Sequence, residues 1–381
     1  MSERGFDFIV IGGGAAGASV TCELSRRGRV ALLEQESAPG YHSTGRSAAV
    51  IAENYGPRVW QVLTTASRPF FEDPPDGFTE HALLHPRGAL FLAAAAEEPA
   101  LRESAAELAR RGVPHALMPA VEALSLCPVL RVEPYTIALY EPGCADIDSN
   151  ALLQGYLRLA RRNGTEIRMG AEVAAIRRRH GLWQIECGGA VLEAPILVNG
   201  AGAWADRIAA LAGLHPRGIV PYRRTAIVFD PPAGCDIASW PMTFDAAETW
   251  YFKPEGGRIM VSPVDKTPSE PCDCQPEELD IALAAERIEQ ATTLKVRRIE
   301  HRWAGLRSFA PDEAPVIGPD PAEPSFVWYA GQGGNGVMAA PAAAQLAAAL
   351  ALGEGVPDAL ARLGISAALT TPGRLAARNT A

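Results

Sequence analysis

The chain has 381 residues, 48% of them apolar and only 7% aromatic, with a net charge of −9 and seven cysteines. Such a length supports a large core shared between two domains, and the acidic balance argues against a phosphate-neutralising nucleic-acid surface. An odd, scattered cysteine set does not read as a secreted disulfide framework; no apolar run reaches the roughly 18 residues of a spanning helix, and the first strand starts too early for a signal peptide, so a cytoplasmic location is expected.

The first elements form one unit. Phe6 to Ile11 is a short apolar run of the kind that makes a buried parallel strand. Gly12, Gly14 and Gly17 follow at GxGxxG spacing, which supplies a tight turn, a close backbone approach to pyrophosphate and close helix–strand packing. Ala18 to Arg27 then reads as a helix whose N-terminal amides, beginning near Ala16, face the phosphates. A second strand, Val30 to Leu33, ends at Glu34, where a carboxylate can hold a ribose hydroxyl. Together these parts predict a bound dinucleotide.

The next stretch, Gln35 to Val50, is rich in Gly, Ser and Thr and is expected to run back along the cofactor, with Ser43, Thr44, Arg46 and Ser47 as donors. Arg58 to Phe71 and Ala100 to Arg111 have helical spacing, with a strand over Gly88 to Ala93, and are expected to form a separate layer over the cofactor. Arg131 to Ile147 reads as a strand and turn leading into a helix capped near Asp148. Strands are expected at Gly164 to Met169 and Trp183 to Cys187, with Arg177, Arg178 and Arg179 in a solvated basic turn. Ala194 to Asn199 is a further buried strand, followed by a Gly-rich turn whose Ala201 and Gly202 suit a second cofactor contact.

Between Pro221 and Gly305 the pattern changes to alternating strand-like runs and a charged helix from Pro276 to Ala291, the signature of a mixed or antiparallel sheet with a helix over it. Arg223, Arg224, Tyr251 and Arg307 are the polar residues here able to line a site, and strand alternation lets one of the two adjacent arginines face it. Cys272 and Cys274 lie in a Pro-rich acidic loop with no second ligand pair nearby, and no metal site is expected. A strand over Phe326 to Ala330 then ends in GQGGNG and a small-residue helix, whose open amides suit the far end of the same cofactor.

The segments IGGGAAGAS, GYHSTGRSAA, LVNGAGAWAD, WAGLRSF and AGQGGNG, in this order, make the chain resemble the D-amino-acid oxidase superfamily of FAD-dependent amine oxidoreductases. The likeness spans nearly the whole chain and is strongest toward bacterial D-arginine-type D-amino-acid dehydrogenases. It implies an α/β fold: a discontinuous Rossmann-like FAD-binding domain (1–50, 140–220 and 305–381) with an interleaved substrate domain (51–139 and 221–304) on a mixed or antiparallel sheet. It also implies FAD contacts from Gln35, His42, Gly45, Ala48, Ala49, Val173, Trp204, Gly333, Gly334, Asn335, Gly336, Val337 and Met338, besides the residues above, with hydrogen bonding favoured over a covalent link at His42 and both left open.

The same resemblance implies roles at the substrate. Arg307 would take the substrate carboxylate, helped by Tyr251 and by Arg224, with Arg223 kept as the alternative; Tyr55 would lie over the flavin and the Gly334 carbonyl would accept from the amine. Two departures stand out: Val50 occupies the place of a histidine near the bound amino acid, and Ala89 that of an acid found in members preferring cationic side chains. The expected reaction is therefore oxidation of an apolar or cyclic α-amino acid, the D-isomer, to the imino and keto acid, with quinone or oxygen taking the electrons. The alternatives are a 2-hydroxy acid or N-methyl amino acid as substrate, or a flavin-binding subunit without turnover of its own.

Overall fold

The computed structural model describes residues 5–378. A six-stranded sheet runs in the order Val316–Pro319, Phe326–Ala330, Ile196–Asn199, Phe8–Ile11, Val30–Leu33, Glu166–Arg168, parallel throughout except for its first strand. Because side chains alternate along a strand, this sheet has two separate cores. Phe8, Val10, Val30 and Leu32 face the helices Ala15–Leu24, Ser149–Arg162 and Ala340–Ala351. Ile9, Ile11, Ala31 and Leu33 face an antiparallel meander of Val173–Arg179, Leu182–Cys187 and Ala190–Ala194, which contributes Trp183, Ile185 and Leu192.

A nine-stranded sheet forms the second layer system, centred on the long strand Val220–Phe229, which pairs antiparallel with His301–Phe309 along its whole length. Its remaining strands run through Arg258–Ser262, Tyr251–Glu255 and Met242–Asp245 to Ala89–Ala93 and Ile137–Glu141. Alternation again sorts the residues. Ile227, Phe229, Phe252 and Val261 pack under the helix Glu278–Ala291, whereas Ala226, Val228, Phe244 and Tyr251 form the opposite face with Ala89 and Phe91.

Several elements differ from expectation. The helix Arg58–Glu72 packs on Ala340–Ala351 rather than in a layer of its own, and Ser67 Oγ accepts from the Ala342 amide in the first turn of that helix. Residues 305–309 continue the strand His301–Phe309 of the large sheet, although the resemblance grouped them with the cofactor unit. Arg177, Arg178 and Arg179 lie within the strand Val173–Arg179, and the reversal falls on His180 and Gly181, both at positive φ (50° and 82°) as a two-residue hairpin turn requires. Side-chain partners account for this: Arg177 pairs with Glu186 of the neighbouring strand at 3.2 Å, and Arg178 lies over the ring of its cross-strand partner Trp183 and pairs with Glu323, from a loop, at 2.8 Å.

Among the described residues no helix is long and apolar enough to cross a membrane. No group of three or more His, Cys, Asp and Glu is gathered for a metal ion in that same set.

Candidate active site

Three cavities that share walls form one continuous cleft. The first, of about 970 Å³, runs from Glu34 and Gln35 past Gly12, Gly14 and Ala16 to His42, Ser43 and Thr44, with Val173, Ala201, Gly202 and Trp204 on its other side. Ser43, Thr44, Gly202 and Gln332 continue into a second cavity of about 810 Å³ lined by Ser47, Ala48, Gly333, Gly334, Gly336 and Val337. The third, of about 430 Å³, adjoins it through Arg307, Tyr251 and Gly334 and is closed by Ala49, Val50, Tyr55, Met242, Phe244 and Met338.

At the first end the backbone leaves no room for side chains. Gly12 has φ +106°, and a Cβ there would run into the Gly200 carbonyl; a Cβ on Gly17 would run into the Gly12 carbonyl. Gly14 caps the helix Ala15–Leu24 in an extended conformation, with no side-chain cap and no acid in the first turn. The side-chain acceptor at this helix end is Thr44, whose Oγ1 accepts from the Ala15 amide at 3.0 Å, and the amides beyond it are open to an anion. The buried Glu34 carboxylate accepts from the Gly13 amide (2.6 Å) and the Glu36 amide (2.9 Å), which ties the end of the second strand to the glycine turn.

The middle of the cleft carries polar groups without protein partners. His42 Nε2 meets Glu36 at 2.9 Å and its ring lies 4.7 Å from Trp204, but Nδ1 is buried and unpartnered. Gln332 Nε2 is also buried and unpartnered. Buried polar groups of this kind are expected to find partners, so a long polar cofactor suits the cleft. Gln332 lines both the first and second cavities; the sequence reading covered its GQGGNG segment without singling it out, and its position directly after the strand Phe326–Ala330 was the available signal.

Arg46 lines the second cavity, while its guanidinium donates to the Cys274 and Ala304 carbonyls (2.7 and 3.1 Å) and to Asp273 and so straps the loop to the large sheet. Two expected contacts differ. Gly45 lies outside the cavity walls, its amide donating to the Gly40 carbonyl at 2.7 Å. Asn335 is also outside the walls, buried beside Gly56 with Oδ1 unpartnered. The helix after GQGGNG starts at Ala340, beyond a run of turns, so the amides near Gly333 to Gly336 belong to the turns and not to a helix end.

At the far end the pairing of Tyr222 with Arg307 and of Arg224 with Gly305 puts both Arg224 and Arg307 on the face shared with Ala226. Arg307 donates from Nη1 to the Tyr55 hydroxyl (3.1 Å) and from Nη2 to the Tyr251 hydroxyl (3.4 Å). Burial opposes its charge, yet the Tyr251 and Tyr55 phenols hold its pKa above the ordinary arginine value. Arg224 is buried, donates from Nε to the Asp265 carbonyl at 2.9 Å, and leaves Nη1 without a partner. Burial first, and then the Arg307 charge, press its pKa down. Two guanidiniums at one cavity with a free donor form a site that an anion completes.

Arg223 is a correction to the alternative kept open by the sequence. It points to the opposite face, where Nε donates to Asp280 at 3.0 Å and Nη1 to Glu277 at 2.5 Å. One residue of register exchanges the faces of a strand, and the helix Glu278–Ala291 claims this side. Phe244 and Met242 were not foreseen; Phe244 stacks on Phe91 at 4.7 Å, and with Met242 it gives the third cavity an apolar wall opposite its arginine and tyrosines. Val50 also lines that cavity, which has no carboxylate and no imidazole in its walls.

Comparison with known proteins places the fold and the family. Glycine oxidase of Bacillus licheniformis is 24% identical over 92% of this chain and 94% of its own length. Dimethylglycine dehydrogenase of Rattus norvegicus is 23% identical over 87% of the chain, which spans only 41% of that larger protein. Among solved structures, the L-proline dehydrogenase of P. horikoshii superposes with a TM-score of 0.85 at 22% identity, covering 99% of both chains. L-amino acid deaminase from Proteus vulgaris does so with a TM-score of 0.78 at 14% identity, over 93% of this chain and 95% of that one. The family described as FAD dependent oxidoreductase, DAO, matches residues 7–350, and the chain belongs to that family of FAD-binding oxidoreductases.

Proposed function

We propose that the chain oxidises an apolar or cyclic α-amino acid, the D-isomer, to an imino acid that water converts to the keto acid. The observation that carries this reading is the buried, unpartnered Nη1 of Arg224 beside Arg307. In this reading the two guanidiniums take the substrate carboxylate in charge-assisted hydrogen bonds. The Tyr55 and Tyr251 hydroxyls hold the Arg307 fork in place, and a rigid clamp of this kind fixes the α-carbon. FAD supplies, when bound, the acceptor for the α-hydrogen and two electrons. Gly12, Gly14, Glu34, Ser43, Thr44, Gln332 and the turn Gly333 to Gly336 would hold it, and the open amides and orphaned Gln332 donor fit such a group.

The Gly334 carbonyl is the acceptor offered to the amine. With Val50 where an imidazole is expected, the amine proton leaves to water. A single carbonyl acceptor suits the one N–H of a neutral secondary amine, which favours a cyclic or N-alkyl amino acid within the class. Met242, Phe244 and Val50 receive the side chain. A basic side chain would be buried there without a counter-charge, so D-arginine and D-lysine are expected to be poor substrates. The relatives named for glycine, dimethylglycine and L-proline support an amino-acid carboxylate at the clamp.

Anaerobic mixing of the FAD-loaded chain with matched panels of D- and L-amino acids tests this. Bleaching of the oxidised flavin by apolar and cyclic D-isomers is expected. Retention of the oxidised spectrum across the panel would sink the reading, and bleaching by L-isomers alone would reverse its chirality. Release of ammonia or a small amine separates amine oxidation from oxidation of a 2-hydroxy acid, and reduction of an artificial acceptor by the single chain removes the reading as a subunit without turnover.

A further inference from the structure

The turn that carries Tyr55, residues Ala52 to Gly56, is held by the side chains of Gln61, Arg111 and Glu141, the last two far away in sequence. From below, Glu141 at the end of the strand Ile137–Glu141 accepts from two successive backbone amides: Glu53 N to Oε1 at 2.7 Å and Asn54 N to Oε2 at 3.2 Å. From above, Gln61 Nε2 donates to the Asn54 and Gly56 carbonyls (3.3 and 2.9 Å), and Arg111 Nη2 donates to the Glu53 carbonyl (3.0 Å). The turn has no regular ladder of its own, so these bonds set the direction in which the Tyr55 ring leaves the backbone. Its hydroxyl then meets Arg307.

We propose that Glu141 is a positioning residue for the reaction: its carboxylate orders the Ala52 to Gly56 turn and thereby holds Tyr55 against the Arg307 arm of the carboxylate clamp. The inference rests on the reading of Arg307 and Tyr55 as that clamp. Glu141 is fully buried and touches neither cavity wall nor cofactor turn, and a carboxylate is costly to bury unless its bonds are used. The ionised group, with both oxygens as acceptors, serves both amides, whereas a protonated or amide side chain turns one of its two polar atoms into a donor facing an N–H.

The surroundings make this group sensitive to pH. Burial, first, pushes the Glu141 carboxyl up to about 7, with the Glu53 charge adding and Arg68 opposing. The other titratable or charged groups facing it are Arg111 beyond the helix Glu98–Arg110 and Cys144 in the hairpin that leads to Asp146. Arg68 itself is engaged by Glu53 at 2.6 Å and by the Gly143 carbonyl at 2.9 Å. Deprotonation of Glu141 therefore strengthens the hold on the turn as pH rises through about 7.

The test uses the FAD-loaded chain, with benzoate as the carboxylate probe read through the flavin spectrum, and hydrogen exchange at the Glu53 and Asn54 amides, from about pH 5 to about pH 9. In the unaltered protein, benzoate affinity should rise about tenfold across that range and amide protection, corrected for intrinsic exchange, should deepen with it. Glu141→Gln should bind benzoate about tenfold more weakly at high pH, with the pH dependence gone. Tyr55→Phe should weaken benzoate while keeping the pH-dependent protection of the two amides. If Tyr55→Phe is weakened but Glu141→Gln binds as the unaltered protein does with the same pH profile, the Glu141 inference falls and the clamp stands. If Tyr55→Phe binds benzoate unchanged, the clamp reading itself falls. Should Glu141→Gln not fold, pH-independent protection of the Glu53 and Asn54 amides in the unaltered chain still overturns the inference.

Discussion

The two ends of the cleft are built on opposite principles. At the nucleotide end the side-chain bonds of the glycine turn join residues no more than 29 positions apart, Glu34 to the Gly13 and Glu36 amides and Thr44 to the Ala15 amide, while glycines keep side chains out of the space left for a ligand. At the clamp end Arg307 meets partners 252 and 56 positions away, and Arg224 keeps a donor free. The first end is a rigid mould made by glycines; the second is an assembly of distant strands left electrostatically incomplete. A mould fails when it is filled, whereas an incomplete clamp fails when an arm is removed, so the two ends predict different damage.

The largest effect should come from the clamp. Arg307→Ala removes the arm held by both tyrosines and is expected to lower kcat/KM about 1000-fold, about 4 kcal/mol, while FAD content stays unchanged. Normal kcat/KM would break the contrast between the two ends. Gly17→Ala should do the reverse: its Cβ would run into the Gly12 carbonyl, so flavin retention and thermal stability should fall together by roughly 3 kcal/mol, as read by absorbance ratio and melting temperature.

Glu141 offers a comparison of comparable size through pH. Its ionisation is displaced upward, from the ordinary 4.5 to about 7, so the fold binds this proton more tightly than the unfolded chain does. Its contribution to stability is then fully present below the ordinary carboxylate value and is lost as pH rises from about 4.5 to about 7. That displacement corresponds to roughly 3 kcal/mol, and denaturant titrations of the unaltered chain should show that decline relative to Glu141→Gln. The full cost is in place once pH has passed about 7, where the ionised carboxylate holds the Tyr55 turn more firmly, a local order maintained against global stability.

The smallest effects separate neighbours. Arg224→Gln should raise KM for the amino acid about 10- to 100-fold with little change in melting. Arg223→Gln, one residue away, should leave KM alone and cost about 1 kcal/mol of stability by freeing Asp280 and Glu277. Equal effects of the two substitutions on KM would contradict the assignment of faces.

Particular residues show how far sequence reading reaches. The βαβ unit was legible because its strands, glycine spacing and terminal acid are local patterns, and the structure returns Phe8–Ile11, Ala15–Leu24 and Val30–Leu33 in order. The alternation in Val220–Phe229 was also legible, together with the consequence that one arginine faces inward. Alternation alone did not say which one; the resemblance favoured Arg224, and what commits Arg223 to the other face is the helix Glu278–Ala291 packed there. The partners of Arg46 were hidden for a similar reason: its position in a cofactor loop is local, but Asp273, Cys274 and Ala304 come from beyond residue 270.

By itself, then, the sequence determined the dinucleotide unit, the change of character after Pro221 and the membership of a flavin-dependent family, since glycine sterics and strand periodicity are written within a few residues. Only the tertiary structure decided that Arg224 and Arg307 share a face, that Gln332 is left with a free donor and that Glu141 lies under the Tyr55 turn. Those facts depend on the register between strands and on which groups remain unpaired after packing, and neither quantity is a property of any one stretch of chain.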